Sequence, residues 1–213
     1  MVTIDWYFDF VSPFAYLQLR RLLSEPHGAE VRFHPVLLAA LLNHWGQLGP
    51  GEIAPKRVFT YRHLVWRARR DHVPLCMPSA HPFNSLKMLR LALAADCAPD
   101  VVQRLFQFVW SEGQLPDDPA AWARLVANAG LTQAEAKTAD ADIKEALKRN
   151  TERAIAAGVF GVPTAVADGE IFWGYDATDM LFEYCRNPGL FADPEMRRVS
   201  SLPIAAARDL SPR

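Results

Sequence analysis

The stretch Asp9-Phe10-Val11-Ser12-Pro13-Phe14-Ala15-Tyr16 turns an alternating segment directly into a helical one and places a hydroxyl at the junction. Before it, Ile4, Trp6, Phe8 and Phe10 fall on one face and Asp5, Tyr7 and Asp9 on the other, the period of two expected of a strand. After it, Tyr16, Leu17, Leu19, Leu22 and Leu23 carry helical spacing to about Pro26. Pro13 suits a first helical turn, where its missing N–H costs nothing, and Ser12 suits the cap before it. The pattern therefore predicts a hydroxyl at a helix N-terminus, where unpaired N–H groups and roughly half an elementary positive charge favour an anion. The same two residues also read as an ordinary N-cap.

Val31, Phe33, Pro35 and Val36 form a second strand candidate, so the chain opens with a strand–helix–strand unit, which normally pairs its strands in parallel. Leu37 to Leu42 is apolar and helical in character. Residues 45–56 hold three glycines and two prolines and read as a loop without phosphate-binding spacing. From Arg57 to about Asn150 the pattern is helical, interrupted at Pro74–Pro78 and Leu115–Pro119, and the last of these helices is expected to stop at Gly158. Thr164–Ala167, the pair Asp168-Gly169 and Glu170–Trp173 read as a hairpin, followed by a helix with Met180, Leu181 and Tyr184.

Half of the 213 residues are apolar, enough for a sizeable core, and the formal net charge is −1 with both signs interspersed. No basic run is long enough to track a phosphate backbone, so nucleic acid is not an expected partner. No apolar run approaches a membrane span and no leader is visible, so the expected setting is the cytoplasm, away from membranes. The three cysteines, Cys76, Cys97 and Cys185, are odd in number and far apart, which argues against a disulfide framework. The six histidines show no paired metal spacing, and no metal is expected.

The order βαβ, helical block, ββα resembles the DsbA-type elaboration of the thioredoxin fold, an α/β fold with a large all-helical insertion. That resemblance implies a thioredoxin-like domain over 1–36 and 158–187, a helical insertion over 37–157 and an irregular arm over 188–213. At the position of the usual Cys-x-x-Cys this chain reads Ser12-Pro13-Phe14-Ala15, which removes dithiol–disulfide exchange there. Gly161-Val162-Pro163-Thr164 stands where the fold carries its cis-proline. Together with His81-Pro82-Phe83-Asn84-Ser85 and Phe172-Trp173-Gly174-Tyr175-Asp176, these motifs resemble the 2-hydroxychromene-2-carboxylate isomerases and the related kappa-class glutathione transferases.

The resemblance implies glutathione as cofactor, a small aromatic carboxylate as substrate and a homodimer. It places Ser12 beside the glutathione sulfur as thiolate stabiliser. It pairs the backbone of Val162, before Pro163, with the cysteinyl part, and sets Lys56 on the glycyl carboxylate. Gln47 takes a position often held by asparagine, and Tyr175 and Asp176 face the γ-glutamyl end. The expected substrate contacts are Asn84 as polar partner and Phe10, Phe14 and Trp173 as walls; each aromatic also reads as core, and Asn84 as the cap of the next helix. Two other activities stay open at this stage: a kappa-like transferase or peroxidase, and a redox-inactive binding protein in which Ser12 is only a cap.

Overall fold

The computed structural model describes residues 1–206; the end of the predicted C-terminal arm lies outside the described residues. Strand β1 (Thr3–Phe8) leads through the Asp9–Ser12 junction into α1 (Pro13–Ser24), and β2 (Glu30–Pro35) follows. Helices α2 (Leu38–His44), α3 (Ala54–Arg70), α4 (Leu86–Ala94), α5 (Pro99–Trp110), α6 (Pro119–Asn128), α7 (Thr132–Ala136) and α8 (Ala141–Ala156) come next. The chain then returns to strands β3 (Thr164–Ala167) and β4 (Glu170–Trp173), a 3₁₀ turn (Tyr175–Ala177) and α9 (Thr178–Arg186). A second 3₁₀ turn (Leu190–Ala192) and α10 (Pro194–Val199) lie in the arm.

The sheet order is β2-β1-β3-β4, with β1 and β2 parallel and the other two pairs antiparallel. This is the predicted thioredoxin-like arrangement with a helical block between β2 and β3. Because β1 is central, both its faces are covered. Ile4, Trp6 and Phe8 enter the main core, whereas Tyr7 joins a smaller cluster with Val36, Leu41, Ala154 and Val159. The main core runs on through α1, α4, α5 and α6, so sheet and inserted helices share one apolar interior. At the hairpin, Asp168 and Gly169 have φ of 51° and 87°. Positive φ at both central residues is what a two-residue turn needs to match the strand twist, which is why Asp-Gly stands there.

The segment between α3 and α4 departs from the expected helical run. It is non-helical from Asp71 through Ser85, beyond the predicted break at Pro74–Pro78. Pro74, Pro78 and Pro82 each bias the preceding residue away from helical backbone, and the His81–Pro82 bond is cis. Lys56, read as a loop residue, lies in the first turn of α3.

Two buried polar side chains fix the junction. Gln18 on α1 accepts from Trp6 Nε1 at 2.7 Å and donates to the Gly174 carbonyl at 3.0 Å and to Thr178 Oγ1 at 3.1 Å. It ties β1, α1 and the turn after β4 together. Trp110 Nε1 on α5 donates to the Phe10 carbonyl at 2.9 Å. A buried polar group is stable only when bonded, so each contact fixes the relative placement of the elements it joins.

Candidate active site

The functional geometry starts at the end of β1. Ser12 has extended backbone, φ −90° and ψ 113°, and its Oγ accepts from Ala15 N–H at 3.3 Å, which is the N-cap geometry. The same hydroxyl donates to the Val162 carbonyl at 3.3 Å. Val162–Pro163 is a cis peptide bond, so the serine cap and the cis-proline loop meet across 150 residues of chain. The amides of Phe14 and Val162 bond no other group among the described residues.

Ser12 and Val162 open on a cavity of about 480 Å³. That volume falls in the range of small-ligand sites. Its walls are largely apolar, with Phe14, Leu38, Leu42, Leu48 and Phe83 prominent. Gln47, Asn43 and Asn84 supply amides, and among the described residues no lysine or arginine lines the cavity. A substrate carboxylate would therefore meet neutral donors there. Glu52, also in the lining, accepts from the Gly49 amide and holds the 45–53 loop closed on itself.

The fully buried Asp9 carboxylate lies in the same wall. Its oxygens accept from Val11 N–H at 3.1 Å and Leu38 N–H at 2.9 Å, joining the junction to the start of α2. Burial raises its pKa above the ordinary carboxylate value, opposed by the Ser85 hydroxyl and these two amides.

His81 and Tyr61 complete the wall. His81 Nε2 is 2.8 Å from the Val11 carbonyl, and Nδ1 is 2.6 Å from Tyr61 Oη, which also lies 2.9 Å from the His81 carbonyl. Burial lowers the His81 pKa against the Val11 contact, and burial raises that of Tyr61 against Arg57. Neither residue is among the expected site residues, although His81 opens the His81–Ser85 motif. The only local signal is His-Pro, which marks a turn and says nothing of where the imidazole goes.

Among the residues expected at the site, Ser12, Phe14, Gln47, Asn84 and Val162 line one cavity. Pro163 is buried behind Val162, and its carbonyl accepts from Gly174 N–H at 2.8 Å. Asn84 accepts from Leu86 N–H at 3.0 Å, but it stands one residue before the N-cap position of α4, which is Ser85 and makes no side-chain cap bond. Other residues lie elsewhere. Phe10 is fully buried among Phe8 and Phe106 and does not line this cavity, because the chain turns at Asp9 and sends this ring into the core. Trp173 is about half exposed and packs on Phe160 and over Gly161, where a Cβ would come within 2.8 Å of its Nε1. Tyr175 is buried, and its hydroxyl donates to Asp71 Oδ2 at 2.7 Å. Lys56 and Asp176 are exposed and outside the cavity lining.

No cysteine lines the cavity. Burial pushes the Cys97 thiol up to about 12 and raises Cys185 as well, so neither supplies a thiolate at neutral pH. Among the described residues, no group of three or more His, Cys, Asp or Glu is placed to hold a metal, and no helix is long and apolar enough to cross a membrane.

The sheet order, the capped junction and the cis-proline loop facing it define a thioredoxin-type domain, and residues 3–185 match the family described as the DSBA-like thioredoxin domain. The 2-hydroxychromene-2-carboxylate isomerase of Sphingobium xenophagum is 31% identical over 190 residues, covering 85% of this chain and 97% of that protein. The chain belongs to the 2-hydroxychromene-2-carboxylate isomerase family and is an enzyme of that family. A solved structure of such an isomerase aligns with a TM-score of 0.78 at 30% identity, covering 90% of this chain and 98% of the other. Human glutathione S-transferase kappa 1 is more distant, 24% identical over 200 residues, covering 84% of this chain and 88% of that protein.

Proposed function

We propose that the protein is a glutathione-dependent isomerase interconverting cis and trans forms of an aryl pyruvate of the 2-hydroxychromene-2-carboxylate type. The observation that carries this reading is the Ser12 hydroxyl, 3.3 Å from the Val162 carbonyl, on the wall of an apolar cavity without a cysteine of its own. A site with an anion-stabilising cap and no sulfur fits a thiol brought from outside.

The residues fit such a thiol. The Ser12 hydroxyl and the unpaired Phe14 amide are donors suited to a thiolate, and the unpaired Val162 amide suits a peptide carbonyl. Gln47 offers an amide on the same wall. The Tyr175 hydroxyl is already committed to Asp71, so the γ-glutamyl end falls to the Asp176 carboxylate and the backbone beside it, with Lys56 assigned to the glycyl end.

Bound glutathione supplies a thiolate able to add reversibly to a conjugated double bond and so permit rotation about it. What the chain contributes is ionisation, orientation and exclusion of water. Lowering a thiol pKa from about 8.5 by two units needs about 2.7 kcal/mol. The Ser12 hydroxyl gives up its bond to Val162 and so supplies roughly 1–1.5 kcal/mol net, a helix end about 0.3–1 kcal/mol, and a charge-assisted bond from the Phe14 amide about 1.5–3 kcal/mol, so the cap and the amide together are sufficient. Phe14, Leu42 and Phe83 would pack the aryl ring, and Asn84 and Asn43 would meet its carboxylate. The reading extends to a cytoplasmic homodimer, with 1–36 and 158–187 as the thioredoxin unit and 37–157 as the insertion.

Calorimetric titration with glutathione, followed by product analysis, tests the proposal. Binding and a geometric isomer with glutathione unchanged are expected. No binding at millimolar glutathione, or a stable conjugate or oxidised glutathione as the product, would overturn it.

A further inference from the structure

We propose that Tyr61 and His81 form a proton relay that opens and closes the oxygen ring of the substrate; this rests on the reading that the substrate is a cyclic hemiketal of the 2-hydroxychromene-2-carboxylate type. Such a compound carries a hydroxyl and the ring oxygen on one carbon. Opening it requires a proton to leave the hydroxyl and a proton to reach the aryl oxygen. Thiolate addition and bond rotation do neither.

The hydrogen-bond pattern defines the relay's resting state. The Val11 carbonyl can only accept, so His81 Nε2, 2.8 Å away, carries the hydrogen. In the neutral ring Nδ1 is then a bare acceptor, and the Tyr61 hydroxyl directs its one proton to it at 2.6 Å, with the His81 carbonyl at 2.9 Å as a second, longer acceptor of the same proton. The Tyr61 oxygen keeps lone pairs to accept from a substrate hydroxyl. Burial keeps the imidazole neutral and the phenol protonated at the start. Two neighbouring groups are otherwise engaged: the Ser12 hydroxyl donates to Val162, and each Asp9 oxygen already accepts a backbone amide, from Val11 and from Leu38. Tyr61 and His81 line the cavity together with Ser12, so one bound molecule can reach both ends.

In the opening step, the hydroxyl proton of the hemiketal passes to Tyr61 Oη as the tyrosine's own proton passes to His81 Nδ1. The freed electron pair forms the ketone C=O, and the bond from that carbon to the ring oxygen breaks with its electrons going to the aryl oxygen. The proton then returns from His81 through Tyr61 to that oxygen. One proton has moved from hydroxyl to phenol, with no oxidant or reductant. Tyr61 is the catalytic residue and His81 acts through it, its Nε2–H bond to Val11 supporting the transient imidazolium.

The relay does not involve glutathione, which gives a separate readout. With glutathione removed by dialysis, stopped-flow ultraviolet absorbance follows opening of the cyclic hemiketal to the open cis acid. The wild-type chain is expected to accelerate this step over buffer, more slowly in deuterium oxide than in water. General acid–base groups contribute roughly 10²–10⁴-fold, so Tyr61→Phe should lower the glutathione-free rate constant by about 10²-fold with little change in KM. His81→Gln, which can still donate to Val11 but cannot take up a proton at neutral pH, should do the same with an unchanged circular dichroism spectrum. Wild-type opening no faster than buffer, absence of a solvent isotope effect, or a folded variant within twofold of wild type overturns the relay. Failure of the underlying reading looks different: wild type then opens the ring but gives no trans acid when glutathione is restored.

Discussion

Replacing Ser12 with alanine removes a hydroxyl that has two partners, and the consequences can be worked from them. At rest Oγ donates its proton to the Val162 carbonyl and accepts from Ala15 N–H, each at 3.3 Å, the long end of hydrogen bonding. To stabilise a thiolate the proton must turn away from Val162. The net gain is therefore a charge-assisted bond of about 1.5–3 kcal/mol less an ordinary one of about 0.5–1.5, or roughly 1–1.5 kcal/mol. At 1.36 kcal/mol per pKa unit, Ser12→Ala should raise the bound glutathione pKa by about one unit. Loss of the cap should also lower unfolding free energy by about 1 kcal/mol. Ultraviolet titration of thiolate absorbance in the complex reads the first quantity, and urea denaturation of the free protein reads the second. A bound thiol that titrates at the wild-type pH in a variant that has lost its cap stability would refute the reasoning, since the serine would then be structural only.

Tyr175→Phe should cost about 1–3 kcal/mol in urea denaturation, because it strips Asp71 of a charge-assisted bond between α3 and the turn after β4. Its glutathione Kd should stay within about twofold, a range far smaller than the effect of losing a charge-assisted contact; a larger rise would return the hydroxyl to the binding site. Asp9 has a raised pKa in the folded chain, so between the ordinary carboxylate value and the raised one the native state binds more protons than the unfolded state. Stability attributable to Asp9 should fall as pH rises through that window, and the difference between wild type and Asp9→Asn in denaturation midpoints should vary with pH there; a flat difference contradicts the burial effect. Phe10→Leu should cost about 1 kcal/mol of stability through altered core packing and leave KM for the aryl substrate unaltered, as steady-state kinetics would show.

The elements whose signals are local were legible in the sequence. The alternation through Ile4, Trp6 and Phe8, the Ser12-Pro13 cap and the Asp168-Gly169 turn each dictate backbone geometry within a few residues, and the strands and helix they predict are present. The site divides along the same line. Ser12 and Val162 meet because the fold places a helix cap opposite a cis-proline loop. Phe10 and Phe14 could not be separated by pattern, since both flank one junction; the turn at Asp9 sends one inward and the other to the cavity. Tyr175 finds Asp71 across 104 residues, and His81 reaches Val11 across 70, through a segment whose course no periodicity encodes. Those are tertiary pairings, and composition carries no trace of them.

The chamber's two ends come from different stretches of chain. Ser12 and Val162 belong to the strand–helix framework, while Leu42 stands on α2, Leu48 on the α2–α3 connection and Phe83 on the turn before α4. Randomising those three side chains alone should yield descendants that accept new ring systems without relearning how to hold sulfur. One scaffold can in this way change the ring it admits by editing that wall while sparing its cap.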